Sequence, residues 1–220
     1  LFRSSAASDV YKRQEVGRCI GPIKRNASIL RSELSFILRE TTLPVKITLP
    51  GPMTVADSTA DEFYHNEEKL AMDVAVALNE EALELEQQGA AVIQFDEPVF
   101  SRYPEKVVSW GIKALDRCLE GLSTAKSAAH ICYSYPMPGV PRPIVDSYPV
   151  ILEALESSKV DELALEFEAS KLDPSLLRRC PSKTVLFGCI DNGTNEIENP
   201  RDIANKLSLI HISEPTRLAT

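Results

Sequence analysis

The 220-residue sequence is poor in histidine (three), tryptophan (one) and glycine (nine). No apolar run approaches the roughly eighteen residues of a membrane-spanning helix, so a membrane span is excluded. No glycine-rich phosphate loop follows any strand-like segment, which argues against a dinucleotide-binding fold. Basic residues are in deficit, 24 Lys+Arg against 32 Asp+Glu, and form no stripe, so no nucleic-acid partner is expected. The five cysteines are odd in number and irregularly spaced, and no signal peptide precedes them. A secreted disulfide framework is therefore not expected, and a reducing, cytoplasmic setting is. What is there suffices for one sizeable domain with its own core: 44% of the residues are hydrophobic.

Both ends read as foreign. Residues 4–14 (SSAASDVYKRQ) and 207–217 (LSLIHISEPTR) look like translated sequencing-adapter DNA. Such scars are set aside before fold reasoning. Residues 1–14 and 207–220 are thus expected to be adapter-derived, and 15–206 to be the native segment, with both true termini of the gene product missing.

Within 15–206 five short apolar segments stand out: Val45–Leu49, Ala91–Phe95, Ser127–Cys132, Glu162–Phe167 and Thr184–Ile190. Stretches of helical period separate them. Phe63–Gln88 is Ala/Glu/Leu-rich and stops at Gly89. Lys106–Leu122, Ile144–Ser157 and Pro174–Arg179 follow. Ile29–Glu40 precedes the first strand, with Asn26-Ala-Ser28 as its start signal. Strands alternating with helices predict a parallel sheet, either doubly wound or a (β/α)8 barrel. Polar residues gather at the strands' C-terminal ends: Asp96-Glu97, His130, Cys132, Glu166 and Asp191. In a barrel, that rim is where chemistry collects. Pro136–Pro149, with five prolines, reads as a rigid loop over the rim. The acidic run Glu80–Glu86 reads as a solvated helix face, His65 as a solvated helix residue, and Trp110 and Cys118 as core. Cys19 falls in a segment expected to form a hairpin arm.

Strand side chains alternate faces, so His130 and Cys132 point one way and Ile131 the other. Imidazole and thiolate two residues apart can share a zinc ion; a buried cysteine beside a carbonyl-bonded histidine fits the pair as well. Glu166 shares a face with Ala164. An inward carboxylate needs a cation, either a metal or a Lys or Arg. Glu168, past the strand end, competes as a ligand and is expected to be exposed. Asp96 stands at the rim with Val92 and Gln94 on its face, suited either to hold an amine or to cap the next turn.

Lys46–Thr54 with Gly51-Pro52, Gln94-Phe-Asp-Glu-Pro98, His130-Ile-Cys-Tyr-Ser134, Leu165-Glu166 and Gly188-Cys-Ile-Asp191 together resemble, in order and spacing, the C-terminal catalytic domain of cobalamin-independent methionine synthase. The resemblance implies an incomplete (β/α)8 TIM barrel with about strands 3 to 7 present. It implies Zn2+ held by His130, Cys132 and Glu166, and an Asp96 that binds the amino group of homocysteine. The implied reaction moves a methyl group from a polyglutamylated methylfolate to the homocysteine thiol, giving methionine. Several positions depart from the family. Its fourth zinc ligand, a cysteine, would lie beyond residue 206, and Cys180 and Cys189 do not match it. The chain alone is accordingly expected to be inactive. Asp57-Ser58 stand where the family has a tryptophan, and Arg102 where it has an acidic folate contact. Its histidine proton donor falls near Gly193, so no catalytic residue is assigned. These changes touch the methyl donor and leave the thiol site. They keep open a corrinoid-linked thiol methyltransferase, a uroporphyrinogen-decarboxylase-like barrel, and a non-catalytic zinc- or thiol-binding barrel.

Overall fold

Alternation along the strand segments decides the layering. A computed structural model describes residues 16–132, 146–191 and 193–213. Its elements run β1 (Gly17–Cys19), α1 (Arg31–Glu40), β2 (Lys46–Pro50), α2 (Pro52–Asp57), β3 (Thr59–Asp61), α3 (Glu67–Gln88), β4 (Val92–Asp96), α4 (Pro104–Lys106), α5 (Ile112–Cys118), β5 (Lys126–Ile131), α6 (Tyr148–Glu156), β6 (Glu162–Leu165), α7 (Phe167–Ser170), β7 (Thr184–Phe187) and α8 (Pro200–Ser213). Strands β2, β4, β5, β6 and β7 form one sheet in that order, and every pair is parallel. Sequential, all-parallel order with helical crossovers is the arrangement of consecutive staves in a (β/α)8 barrel. The strands fall within two residues of the apolar segments that predict them, except the last, which ends three residues early at Phe187.

On β2 and β4, Ile47, Leu49, Ile93 and Phe95 are buried. Their alternates Lys46, Thr48, Gln94 and Asp96 lie on the other, more open face. The buried set packs with Val74, Leu78, Leu85, Leu115, Tyr148, Ile151 and Leu155 into one core between sheet and helices, which also takes in Trp110 and Cys118. Side chains that alternate in this way leave the polar set for the barrel interior, where the site is built.

Helix α3 has clear end signals. The Asn66 side chain accepts from the Lys69 N–H, and Gly89 closes the helix in the left-handed region at φ 110°. It starts four residues later than the periodicity predicts, and exposed His65 lies ahead of it at φ 48° rather than within it. The acidic run on this helix is not uniformly solvated. Glu81 is fully buried and accepts from the Ile29 and Leu30 N–H groups, the Ser28 hydroxyl and Arg25. Glu86 accepts from the successive N–H groups of Ser123, Thr124 and Ala125. The carboxylates spend themselves on backbone donors of neighbouring loops, which periodicity along one helix does not reveal. For the same reason Ser28 does not cap α1: its hydroxyl is taken by Glu81, and Leu30 is the cap residue.

Other differences are local. Cys19 belongs to β1, which pairs in parallel with β3 in a separate two-stranded sheet, and its side chain is buried. Lys106–Leu122 is not one regular helix: a π-helical turn over Val107–Gly111 joins α4 to α5. Helix α8 continues across Lys206 and Leu207, and Leu207 packs on the core. Among the described residues, no helix is long and apolar enough to cross a membrane.

Candidate metal centre

The sheet register brings three side chains from two strands to one spot. His130 is opposite Asp96 on β4 and Ala164 on β6. Cys132 stands one residue past the end of β5, and Glu166 one residue past β6. An imidazole nitrogen, the thiol sulfur and a carboxylate oxygen of these three residues lie within 4.8 Å of one another, and all three residues are half-buried. Ile131 between them points into the core, fully buried. Donors around a tetrahedral zinc, each roughly 2.0–2.3 Å from the ion, stand roughly 3.5 Å apart. The donor set, one imidazole, one thiol and one carboxylate, is of the kind zinc takes.

The electrostatics favour a cation here. His130 Nδ1 lies 3.4 Å from Asp96 Oδ1, and its Nε2 lies 3.4 Å from Glu166 Oε1. Hydrogen bonding to Asp96 first, and to Glu166 second, pushes the imidazole up to about 9 against the opposing effect of burial. At neutral pH the imidazole therefore holds a proton between two carboxylates, and a metal ion would take over that positive charge.

Two glycines allow the approach. Gly188 donates to the Leu165 carbonyl at 2.8 Å, and its own carbonyl accepts from Glu168. A Cβ there would stand 2.7 Å from the Leu165 oxygen and 3.1 Å from Glu166 Cα. A side chain at 188 would push β7 away from the backbone that carries Glu166. Gly51 does the same for Glu97. Its N–H donates to the Asp96 carbonyl at 2.7 Å, and a Cβ would fall 2.2 Å from Glu97 Cδ. The Glu97 carboxyl, with no exposed surface, accepts from the N–H groups of Met53 and Thr54 at 2.9 Å and the Thr54 hydroxyl at 2.6 Å. Its backbone N–H donates to the His130 carbonyl. One buried residue thus ties the ends of β2, β4 and β5 together.

Burial outweighs those three donors and pushes the Glu97 carboxyl up to about 7 from its ordinary 4.5. The folded state therefore prefers the neutral acid. Its contribution to stability is complete below pH 4.5 and is lost as pH rises through about 7. Relative to Glu97→Gln, which cannot ionise, the parent should lose about 3 kcal/mol across that window. Urea titrations of both proteins from pH 4.5 to 8 measure the difference, and parallel curves would contradict it.

Asp96 sits beside His130 at the same rim and accepts from Gln94 Nε2 at 2.9 Å, but is not among the three converging donors. Glu168 is mostly buried rather than exposed. It pairs with Lys171 at 3.1 Å and with Lys206, which removes it from the ligand set. Asp191 lies 3.6 Å from Lys171 and likewise stands apart. Cys180 is buried, and neither it nor Cys189 joins the group. Tyr133, Ser134 and most of the proline-rich loop fall outside the described residues. Sequence pattern puts Glu97 at the rim without a role, whereas the structure buries it, and it does not single out Ser101. The available signal for Glu97 was parity: next to inward Asp96 it must face the helices, where a carboxyl needs donors.

A family model described as the cobalamin-independent synthase catalytic domain matches residues 18–217. A methionine synthase of Thermococcus kodakarensis is 28% identical over 202 residues, covering 90% of this chain and 56% of the relative. One from Saccharolobus islandicus is 33% identical over 168 residues, covering 76% of this chain and 46% of the relative. The solved structure of a B12-independent methionine synthase from Shewanella sp. W3-18-1, in complex with selenomethionine, superposes with a TM-score of 0.83 at 36% identity. It covers 91% of this chain and 61% of that one. The chain spans about half the length of the curated relatives it matches.

Proposed function

The chain belongs to the cobalamin-independent methionine synthase family, and from that premise we propose that it carries part of a zinc-dependent homocysteine methyltransferase site. The observation that carries the reading is the convergence of one His130 nitrogen, the Cys132 sulfur and one Glu166 oxygen within 4.8 Å. These three residues would hold the ion. Bound zinc lowers the pKa of a coordinated thiol, so that the nucleophile for methyl transfer exists at neutral pH.

The remaining chemistry belongs to the chain's own side chains. Asp96 presents a carboxylate at the rim, with one oxygen fixed by Gln94, where it would grip the ammonium group of homocysteine. Lys46 in turn donates to the Gln94 carbonyl oxygen, which orients the amide. Fixing the amino acid at its ammonium end leaves its thiol free to reach the three-donor group. The product would be methionine, and the donor a methylfolate. A reducing cytoplasm suits the reaction, and none of the five cysteines is in a disulfide. The same reading keeps residues 1–14 and 207–220 outside the native segment, and resequencing the source gene across both junctions tests that.

Cobalt(II) in place of zinc gives a direct test of the thiol site. Adding homocysteine to the cobalt-loaded protein should raise the sulfur-to-cobalt charge-transfer absorption, and homoserine should not. Asp96→Asn, compared at saturating cobalt, should weaken that response about tenfold in homocysteine concentration. An absorption that ignores homocysteine overturns the reading. Assays of the full-length gene product with methylfolate and with methylcobalamin then identify the donor, and homocysteine binding by that full-length protein without turnover from either would favour the non-catalytic barrel.

A further inference from the structure

The end of β5 is held by hydroxyl groups as well as by its ladder. Pairing with β4 stops at His130 and pairing with β6 stops at Ile131. Beyond that point, backbone carbonyls need other partners. The Ser101 hydroxyl donates to the Cys132 carbonyl at 3.2 Å, across 31 residues of sequence. The Tyr148 hydroxyl donates to the Ile131 carbonyl at 3.2 Å. Ser147 donates through its own hydroxyl to the Ser101 carbonyl at 2.8 Å. Ser101, Ser147 and Tyr148 are all buried, at 4%, 5% and 0% exposure. The three residues link the turn after β4, the end of β5 and the start of α6 without supplying any of the three converging donor atoms.

We propose that Ser101, supported by Tyr148, is a positioning residue for the metal centre: it fixes the backbone of Cys132 and so sets where the sulfur stands relative to His130 and Glu166. This rests on the reading of those three residues as zinc ligands. A thiol one residue beyond the end of a strand takes its position from the backbone contacts made there. Metal sites need their donors held to within about 0.5 Å. A buried hydroxyl on the carbonyl of the same residue supplies that restraint. The Ser101 oxygen also stands 2.9 Å from the Pro98 carbonyl, so its single proton is shared between the two carbonyls and its rotamer is held from the β4 side.

The test is zinc affinity by chelator competition on the full chain, with the cobalt(II) spectrum and the thermal melt read alongside. Ser101→Ala should weaken zinc binding about tenfold, the lower end of what partners behind metal ligands contribute. It should also shift the sulfur-to-cobalt band while leaving the melt near that of the parent. Tyr148→Phe should act in the same direction. Ser158→Ala removes another buried hydroxyl, one that donates to the Leu155 carbonyl away from the site, and should leave the zinc Kd unchanged. Parental affinity and spectrum in both Ser101→Ala and Tyr148→Phe would overturn the proposal while the zinc reading stands. Affinity lost only in step with folded fraction, and equally in Ser158→Ala, would reduce Ser101 to a structural role and overturn it too. A parent chain that binds no zinc removes the metal centre and this inference together.

Discussion

Cys132→Ser should leave the protein essentially without zinc, with an affinity loss of at least about a hundredfold. The floor follows from comparison: partners that merely support a ligand contribute 10–100-fold, and a direct ligand contributes more. The change removes one side-chain atom's identity and almost no volume. Serine keeps the size and the backbone bonds of Cys132, but a hydroxyl does not ionise near neutral pH and is a hard, weak donor. His130 and Glu166 then remain as two converging ligands, too few to hold the ion. The pH dependence supplies an internal check. His130 is pushed up to about 9, so below that pH a metal ion has to displace a proton from it. Zinc affinity of the parent should therefore rise as pH is raised from 6 toward 9. Metal analysis after dialysis reads the first effect and chelator competition the second. Unchanged zinc content in Cys132→Ser would remove the metal centre from consideration.

How much of this was legible in the sequence depends on whether the information was local. The parity of His130, Ile131 and Cys132 follows from strand geometry, and the structure places Ile131 in the core with its neighbours on the open face. The five-strand parallel order follows from alternating strand and helix patterns. Gly89 and the ends of α3 were legible because helix termini leave local marks. The buried acids were not. Glu81 and Glu97 look like solvated or turn residues in sequence, since their donors sit 43 to 56 residues away on other elements. Glu168 was misjudged for the same reason: Lys206, 38 residues on, folds back to it. The Ser101 hydroxyl was invisible because its partner is a backbone carbonyl, which every residue has. Sequence pattern reports which face a side chain takes; it does not report which distant polar group completes it.

Gly51→Ala should be strongly destabilising, by about 3–4 kcal/mol. At 2 to 4 °C per kcal/mol for a chain of this size, the melting temperature should fall by roughly 10 °C. The backbone at Gly51 is extended, with φ −78° and ψ 155°, so conformational freedom is not the reason. Space is. The new Cβ would lie 2.2 to 2.4 Å from three atoms of the Glu97 side chain. A flexible exposed glutamate would swing away, but this one is fully buried and held by Met53, Thr54 and its own backbone bond to His130. Either those bonds break and leave buried donors unpaired, or α2 moves off the sheet. Because the Gly51 N–H also bonds the Asp96 carbonyl, the displacement reaches the rim of the site. A double-mutant cycle separates this cause from a general intolerance. Glu97→Ala alone should destabilise by leaving the Met53 and Thr54 donors without their acceptor. In that background the clash is gone, so adding Gly51→Ala should cost less than about 1 kcal/mol further. Strict additivity of the two substitutions would mean that Gly51 and Glu97 are not coupled, and that the tie between β2, β4 and β5 is not made through this carboxyl.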